Sequence, residues 1–319
     1  MNGIDLFSGM GGFSLGFIKA GFKILYAIDN WKFVKKSYTD NIDSEFILAD
    51  IRELNPYDFL GDKIDFIIGS PPCKELSIAN FRSLKDKGME LVKVFLKWIE
   101  VIKPKYWIME NVSQIIPLLK RGTFNITIPI IAEYDLVNYA IPQFRVRAFS
   151  GAFKRLKPTH SKLGGIDLFG NKIHKWNIVR KALRDMPPQE YSDKLNKRLI
   201  PRDSEVKDSF YTKHGEQILD EPCRTITTKD DFKLIRRNQN INLSLESEEE
   251  RKVNLRRFTP RELMRIQTFP DSYKISGSLT NQYKMIGNSV PPYFSYQLAL
   301  EINGVNNNKF NLMEFIQEE

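Results

Sequence analysis

Two cysteines, Cys73 and Cys223, are all that the 319 residues contain, and they stand far apart in sequence. So few exclude a disulfide framework and a cysteine-rich zinc site, and fit a reducing, cytoplasmic setting. Histidine is scarce too: His160, His174 and His214 show no metal-ligand spacing, so no metal is expected. No apolar run approaches the ~20 residues that a membrane span needs. The opening MNGIDLFSG lacks the basic and apolar regions of a secretory signal, and no internal repeat is present. What is there is ordinary for a soluble globular chain, 42% hydrophobic and 27% charged, which excludes wholesale disorder. At roughly 150 residues per domain, the length predicts two domains or one large domain with an insertion.

Charge is more informative. The net charge is +9, and residues 152–260 carry most of it, with 24 basic and 16 acidic side chains against 24 and 23 elsewhere. A basic block beside a near-neutral one points to a polyanion-binding segment next to a segment with another task. A solvated lysine-rich surface is the plainer alternative.

The first 150 residues alternate short apolar runs with amphipathic stretches. Strands are predicted at Gly3–Phe7, Lys23–Ile28, Phe46–Leu48, Ile64–Ile68 and Tyr106–Met109, with helices at Gly12–Ala20, Lys32–Tyr38 and Glu90–Ile102. That alternation predicts an α/β fold with a mostly parallel sheet covered on both faces. From about Lys154 the pattern gives way to a polar, proline-punctuated stretch that includes the acidic run Glu248–Glu250. Order returns at Phe258, where Thr259, Pro260 and Glu262 spell a helix start with a capping box, and Phe258 and Leu263 are placed as its hydrophobic staple. A last amphipathic helix is predicted at about Pro292–Ile302.

DLFSGMGGFSLGF (5–17) reads as strand, glycine turn and helix. Gly9, Gly11 and Gly12 allow close backbone approach and aim helix N–H groups at an anion. Asp29, 20 residues beyond Gly9, ends the next strand at the spacing that suits ribose hydroxyls, and Asp50 ends the third strand, where an adenine could be met. Ser14 occupies the place of the third glycine of the dinucleotide fingerprint, which leans towards S-adenosylmethionine (AdoMet) over a nicotinamide without deciding between them. GSPPC (69–73) puts Cys73 at the carboxyl edge of the sheet, where α/β folds bind ligands. Cys223, in EPCRTITT, reads as a buried structural residue. ENV (110–112) brings Glu110 to the same edge. In IPQFRVR (141–147), alternation predicts a strand with Gln143, Arg145 and Arg147 on one face. A nucleophile, a carboxyl group and an arginine thus converge on one cleft.

These segments, with RFTPRELMRIQTFPDSY (257–273) and YKMIGNSVPP (283–292), stand in the order and spacing of the DNA (cytosine-5)-methyltransferase family, which the chain resembles over about 1–151 and 257–319. The resemblance implies an AdoMet-dependent methyltransferase with a Rossmann-like, mostly parallel sheet and a smaller, irregular target-recognition domain. The catalytic domain would comprise 1–155 plus about 283–319, and the target-recognition domain about 156–282. Cys73 would be the nucleophile, Glu110 would bind the cytosine edge, Arg147 would brace Glu110 and the base, and Arg145 would contribute nearby. Phe7, Asp29, Asp50, Pro72 and Asn288 match positions lining the AdoMet pocket. The helix after Asn288 would pack back on the first domain. Lys74 departs from the family's usual Gln and Leu76 from a common aromatic, on the loop expected to close over DNA.

The implied reaction transfers a methyl group from AdoMet to carbon 5 of a flipped-out cytosine in a specific double-stranded DNA sequence, leaving S-adenosylhomocysteine. A tRNA cytosine-5 methyltransferase would share the catalytic set but should show a Cys-Phe-Thr signature in its second half, and none is present. A non-catalytic DNA-binding regulator would suit the charge but has no need of Cys73 or an intact glycine turn. An exocyclic-amino methyltransferase would place an aromatic where Cys73 stands, and a nicotinamide oxidoreductase leaves Cys73, Glu110 and Arg147 unexplained. Because the chain begins almost at the first motif, a compact prokaryotic-type enzyme is expected; a monomer acting on nucleoid DNA in the cytoplasm is expected with it. Its functional partner would be a restriction endonuclease, and no membrane contact is expected.

Overall fold

The computed structural model describes residues 1–72, 89–186, 219–228, 234–236, 255–305 and 311–317. Cys73, Lys74 and Leu76, His214 and the acidic run at 248–250 lie outside the described residues.

Seven strands form the central sheet: β1 (Asn2–Leu6), β2 (Lys23–Asp29), β3 (Glu45–Leu48), β4 (Phe66–Gly69), β5 (Tyr106–Asn111), β6 (Ile130–Asp135) and β7 (Val146–Ala152). Their order is β3-β2-β1-β4-β5-β7-β6, and β7 alone runs antiparallel to its neighbours. The first five match the sequence expectation to within two residues at either end. β4 is buried at every position, as a strand covered on both faces must be. Alternate residues serve the two faces: Phe66 and Ile68 join Phe17, Phe149 and Phe294 on one, while Ile67 joins Leu6, Trp98 and Met109 on the other.

Helices α1 (Gly12–Lys19), α2 (Lys32–Thr39), α3 (Glu90–Ile102) and α4 (Ile116–Arg121) fill the connections. α3 buries Val92, Phe95, Leu96, Trp98 and Ile99, and ends where Lys103 turns to φ 51° ahead of Pro104. Beyond β7 comes a small sheet of β8 (His160–Ser161), β9 (Gly165–Ile166) and β10 (Lys172–Lys175), then α5 (Val179–Ala182) and a β11–β12 pair (Leu234–Arg236 and Leu255–Arg257). α6 (Pro260–Ile266) starts with the expected capping box, and both staple residues, Phe258 and Leu263, are fully buried. α7 (Leu279–Asn288), α8 (Pro292–Ile302) and α9 (Leu312–Gln317) complete the described chain.

One expectation needs correction. The segment 141–145 is not part of a strand. Phe144 N–H donates to Cys223 O, and Gln143 bridges Cys223, so the sheet is entered only at Val146. Pro142 lacks a ladder donor and helps keep this stretch out of the sheet. YKMIGN, to which the sequence assigned no element, lies in α7, whose N-cap Ser278 accepts from Asn281 N–H.

α8 does return to the first domain. It packs lengthwise on α1, where Ser295 Oγ donates to Gly12 O and Phe13 O at 3.2 and 3.1 Å. A methyl group on Gly16 would meet Ser295 Oγ at 1.8 Å, so glycine is required for this approach. A single apolar cluster also crosses the domain boundary expected near residue 282: Met10, Leu15 and Tyr38 share it with Cys223, Phe258, Phe269 and Tyr283.

Candidate active site

Strand register lays the site out. Leu6 pairs with Gly69 and Gly69 with Met109, so Phe7, Ser70 and Glu110 follow in one row at the carboxyl edge. Leu6 also pairs with Ile28, which sets Asp29 beside Phe7. This edge is where an open α/β sheet holds its ligand.

The glycine turn leaves β1 sharply. Phe7 adopts φ 60°, a costly conformation for an aromatic residue, and Gly9 and Gly11 follow at 55° and 90°. Asp29 fixes the turn: its two carboxylate oxygens accept Gly9 N–H at 2.8 Å and Trp31 N–H at 2.7 Å. Burial pushes its pKa upward. A carboxylate has about four acceptor sites, so two remain for hydroxyl donors. Beside it, Ser8 Oγ is buried with no hydrogen-bond partner in the structure, and a Cβ on Gly9 would meet nothing within 4 Å. An orphaned hydroxyl and open space at the turn fit a polar ligand such as AdoMet. Asn288 is exposed at the end of α7, and the chain just beyond it lies against the turn, since a methyl group on Gly12 would meet Val290 O at 2.3 Å.

Asp50 is placed less simply than expected. Its carboxylate is held by Arg52, with Nη2 at 2.6 Å and Nε at 3.0 Å, and also accepts Arg52 N–H to cap a short turn. These contacts hold its pKa down, to about 2. An adenine amino group would therefore meet an acceptor that is already engaged.

Beneath the turn lies a group that no local sequence pattern reveals. Asp5 is buried, accepts from Ser14 Oγ at 2.5 Å, and Ser14 in turn meets Tyr38 OH at 2.8 Å. This explains Ser14: a glycine there would leave a buried carboxyl without its donor. Burial pushes the pKa of Asp5 up to about 7. A carboxyl with a raised folded-state pKa contributes stability that is full below its unfolded value near 4 and is lost as pH rises towards 7. Denaturation of the wild type should show this loss, with a slope of up to about 1.4 kcal/mol per pH unit. Asp5→Asn, which cannot titrate, should flatten the profile between pH 4 and 7, and an unchanged profile would assign the dependence elsewhere.

On the other side of β1, Asn111 Nδ2 donates to Pro71 O at 3.1 Å and ties the proline turn to the end of β5. Pro72 is exposed, and the chain then runs on to Cys73. Glu110, 8% exposed, pairs with Arg147 Nε at 3.2 Å. The pair forms because β7 is reversed, so that its amino-terminal end reaches the carboxyl end of β5.

Arg145 is not at this edge. It is 2% exposed, and its guanidinium donates to Ile226 O at 2.9 Å and to Gly287 O and Ser289 O at 3.1 Å. Gln143 joins the same knot, donating to Gln267 Oε1 and accepting Ile226 N–H. Alternation predicts Arg145 in line with Arg147, but residues 143–145 leave the sheet to pair with residues 223–226, and the structure does not bring the two arginines together. Cys223 is fully buried, in keeping with a structural residue. Among the described residues, no group of three or more His, Cys, Asp or Glu side chains could hold a metal. No helix among them is long and apolar enough to cross a membrane.

Solved structures share this architecture. The Entamoeba histolytica methyltransferase EhMeth superposes with a TM-score of 0.68 at 21% identity, over 95% of this chain and 98% of its own. A Spodoptera frugiperda DNMT2 variant gives 0.67 at 19%, over 95% and 99%. The α/β fold with a mostly parallel central sheet is therefore shared with these structures. A family model for C-5 cytosine-specific DNA methylase matches residues 1–304, and the chain belongs to that family, the DNA (cytosine-5-)-methyltransferases. Among its relatives, M.MJ0563P of Methanocaldococcus jannaschii is 32% identical over 95% of this chain and 99% of its own. The type II methyltransferase M.HindV of Haemophilus influenzae is 31% identical over 91% and 92%, and M.DdeI of Desulfomicrobium norvegicum 27% over 95% and 88%.

Proposed function

We propose that the chain methylates carbon 5 of a cytosine flipped out of a specific double-stranded DNA sequence, through a covalent adduct on Cys73. The observation that carries this reading is the Glu110–Arg147 pair at the end of β5, tied through Asn111 to the turn that leads to Cys73. Ser8, Gly9, Asp29 and the segment after Asn288 would hold AdoMet, with Phe7 and Pro72 at its margin. AdoMet, when bound, supplies an electrophilic methyl group.

Carbon 5 of cytosine is a poor nucleophile until the ring's conjugation is broken. The Cys73 thiolate adds to carbon 6, forming an S–C bond and pushing the 5,6 electron pair towards carbon 5 and the ring nitrogen N3. Glu110 holds a proton at N3 and Arg147 fixes Glu110 and the exocyclic oxygen, which stabilises the shifted charge. Carbon 5 takes the methyl group, then loses its proton to a base. The S–C bond breaks, the double bond returns and the thiolate is freed. A stacked base cannot reach this edge, so it must be flipped out, at a cost of a few kcal/mol offset by phosphate contacts. Residues 156–282 would supply those contacts and the base readout. The relatives named as type II methyltransferases suggest a restriction endonuclease as functional partner.

Expression in a host free of cytosine methylation, followed by bisulfite sequencing of its DNA, should reveal protected cytosines within one short sequence. Unmodified DNA from cells containing folded protein, or methyl groups found only in RNA, would overturn the reading.

A further inference from the structure

The β9–β10 hairpin carries an apolar tip that the fold does not use. Leu163, Ile166 and Phe169 are 81, 75 and 80% exposed, and Leu168 is fully exposed. One exposed leucine is unremarkable, but four large apolar residues on a single projection form a patch of the kind that marks an interaction site. The tip is also preorganised. Asp167 Oδ1 accepts Phe169 N–H at 2.9 Å and Asn171 N–H at 2.7 Å, and Oδ2 accepts Asn171 Nδ2 at 2.9 Å. Gly170, at φ 82°, closes the turn. Three hydrogen bonds thus commit the only acidic side chain between residues 154 and 175 to holding Leu168 and Phe169 outward.

Six basic residues share that stretch: Lys154, Arg155, Lys157, Lys162, Lys172 and Lys175, all exposed. Lys157 Nζ lies 5.1 Å from the centre of the Phe169 ring. The root of the hairpin is tied to the chain that leads to the active site. Trp176 Nε1 donates to Asn138 Oδ1 at 2.9 Å, and its ring packs edge-to-face on Phe144, three residues before Arg147.

We propose that this hairpin is a duplex-DNA contact, in which Leu168 and Phe169 press on base surfaces in a groove while the surrounding lysines meet phosphates. Apolar side chains set among cations match a polyanion with apolar ring faces, and wedges of this kind are used where proteins unstack base steps. The assignment rests on the reading of the chain as a DNA methyltransferase and adds where the duplex is gripped.

The test uses the full chain carrying Leu168→Ser with Phe169→Ser, and a labelled mixed-sequence duplex read by fluorescence anisotropy. Duplex affinity should fall about tenfold or more, the scale of removing one base–aromatic stack. Melting temperature and AdoMet affinity by calorimetry should stay within the small range of a surface change, about twofold in affinity. In a second variant, Lys172→Gln with Lys175→Gln, the log–log salt dependence of duplex binding should become shallower by about one for each phosphate no longer neutralised. Duplex affinity and salt dependence equal to wild type would overturn the proposal. So would an effect confined to self-association in sedimentation, or to binding of phosphatidylserine vesicles. Because anisotropy needs no methyl transfer, the outcomes separate: wild-type protein that binds the duplex yet leaves no 5-methylcytosine sinks the catalytic reading, not the hairpin.

Discussion

A duplex with 5-fluorocytosine at the target position should trap the wild-type chain as an adduct that survives denaturing electrophoresis once AdoMet is supplied, and Cys73→Ala should form none. The reason is chemical. After addition of sulfur to carbon 6 and methylation of carbon 5, release requires loss of the carbon-5 substituent as a cation, which fluorine cannot do. Cys73→Ala should also abolish methylation, whereas Cys223→Ala should retain adduct formation, since its side chain is buried in the shared core. Glu110→Gln keeps the shape and removes the titratable proton, so turnover should fall by about a hundredfold or more while DNA still binds. Methylation by Cys73→Ala at the wild-type rate, or an active enzyme that never forms the adduct, would sink the covalent mechanism.

The two arginines of QFRVR should fail in different ways. Arg145→Leu removes three hydrogen bonds made by a buried guanidinium to the carbonyls of Ile226, Gly287 and Ser289, of which Ser289 O keeps only a 3.4 Å contact from Gln267 Nε2, so it should cost about 3–5 kcal/mol in denaturant unfolding. Arg145→Lys should recover only part of this, because a single ammonium cannot match a planar fork across three acceptors. Arg147→Leu loses one partly buried ion pair, so stability should drop by about 1–2 kcal/mol while methyl transfer is lost. Equal unfolding midpoints for the two leucine variants would show that the clamp around Arg145 does not hold the fold together.

The sequence was most legible where local chemistry and global packing agree. The α6 start could be read residue by residue because capping and stapling involve neighbours only, and α3 because its apolar spacing matches the helical period. The row of Asp29, Phe7 and Glu110 followed from strand–helix alternation, since parallel strands deliver their last residues to one edge. What was hidden depends on partners distant in sequence. Nothing local says that Gln143 and Arg145 leave the sheet to meet residues 223–226, or that Arg52 takes hold of Asp50. β6 went unread because its run at Ile130–Asp135 is half-buried and short of a turn signal, although Ile130, Ala132 and Tyr134 fall on one face. Ser14 looked like a defect in a glycine fingerprint, and its purpose became visible only with Asp5 and Tyr38 beside it.

The packing of α1 on α8 joins residues some 280 positions apart in the chain. During synthesis, the glycine turn and the apolar face of α1 emerge early, yet the surface that covers them is among the later parts made. At the usual elongation rate of roughly 5–20 residues per second, the interval is on the order of tens of seconds. Until it ends, the Gly12–Gly16 face of α1 lacks the helix that Ser295 anchors to it, although Phe17 can already pack on Phe22 and Phe66. Contacts of such long sequence separation also slow folding.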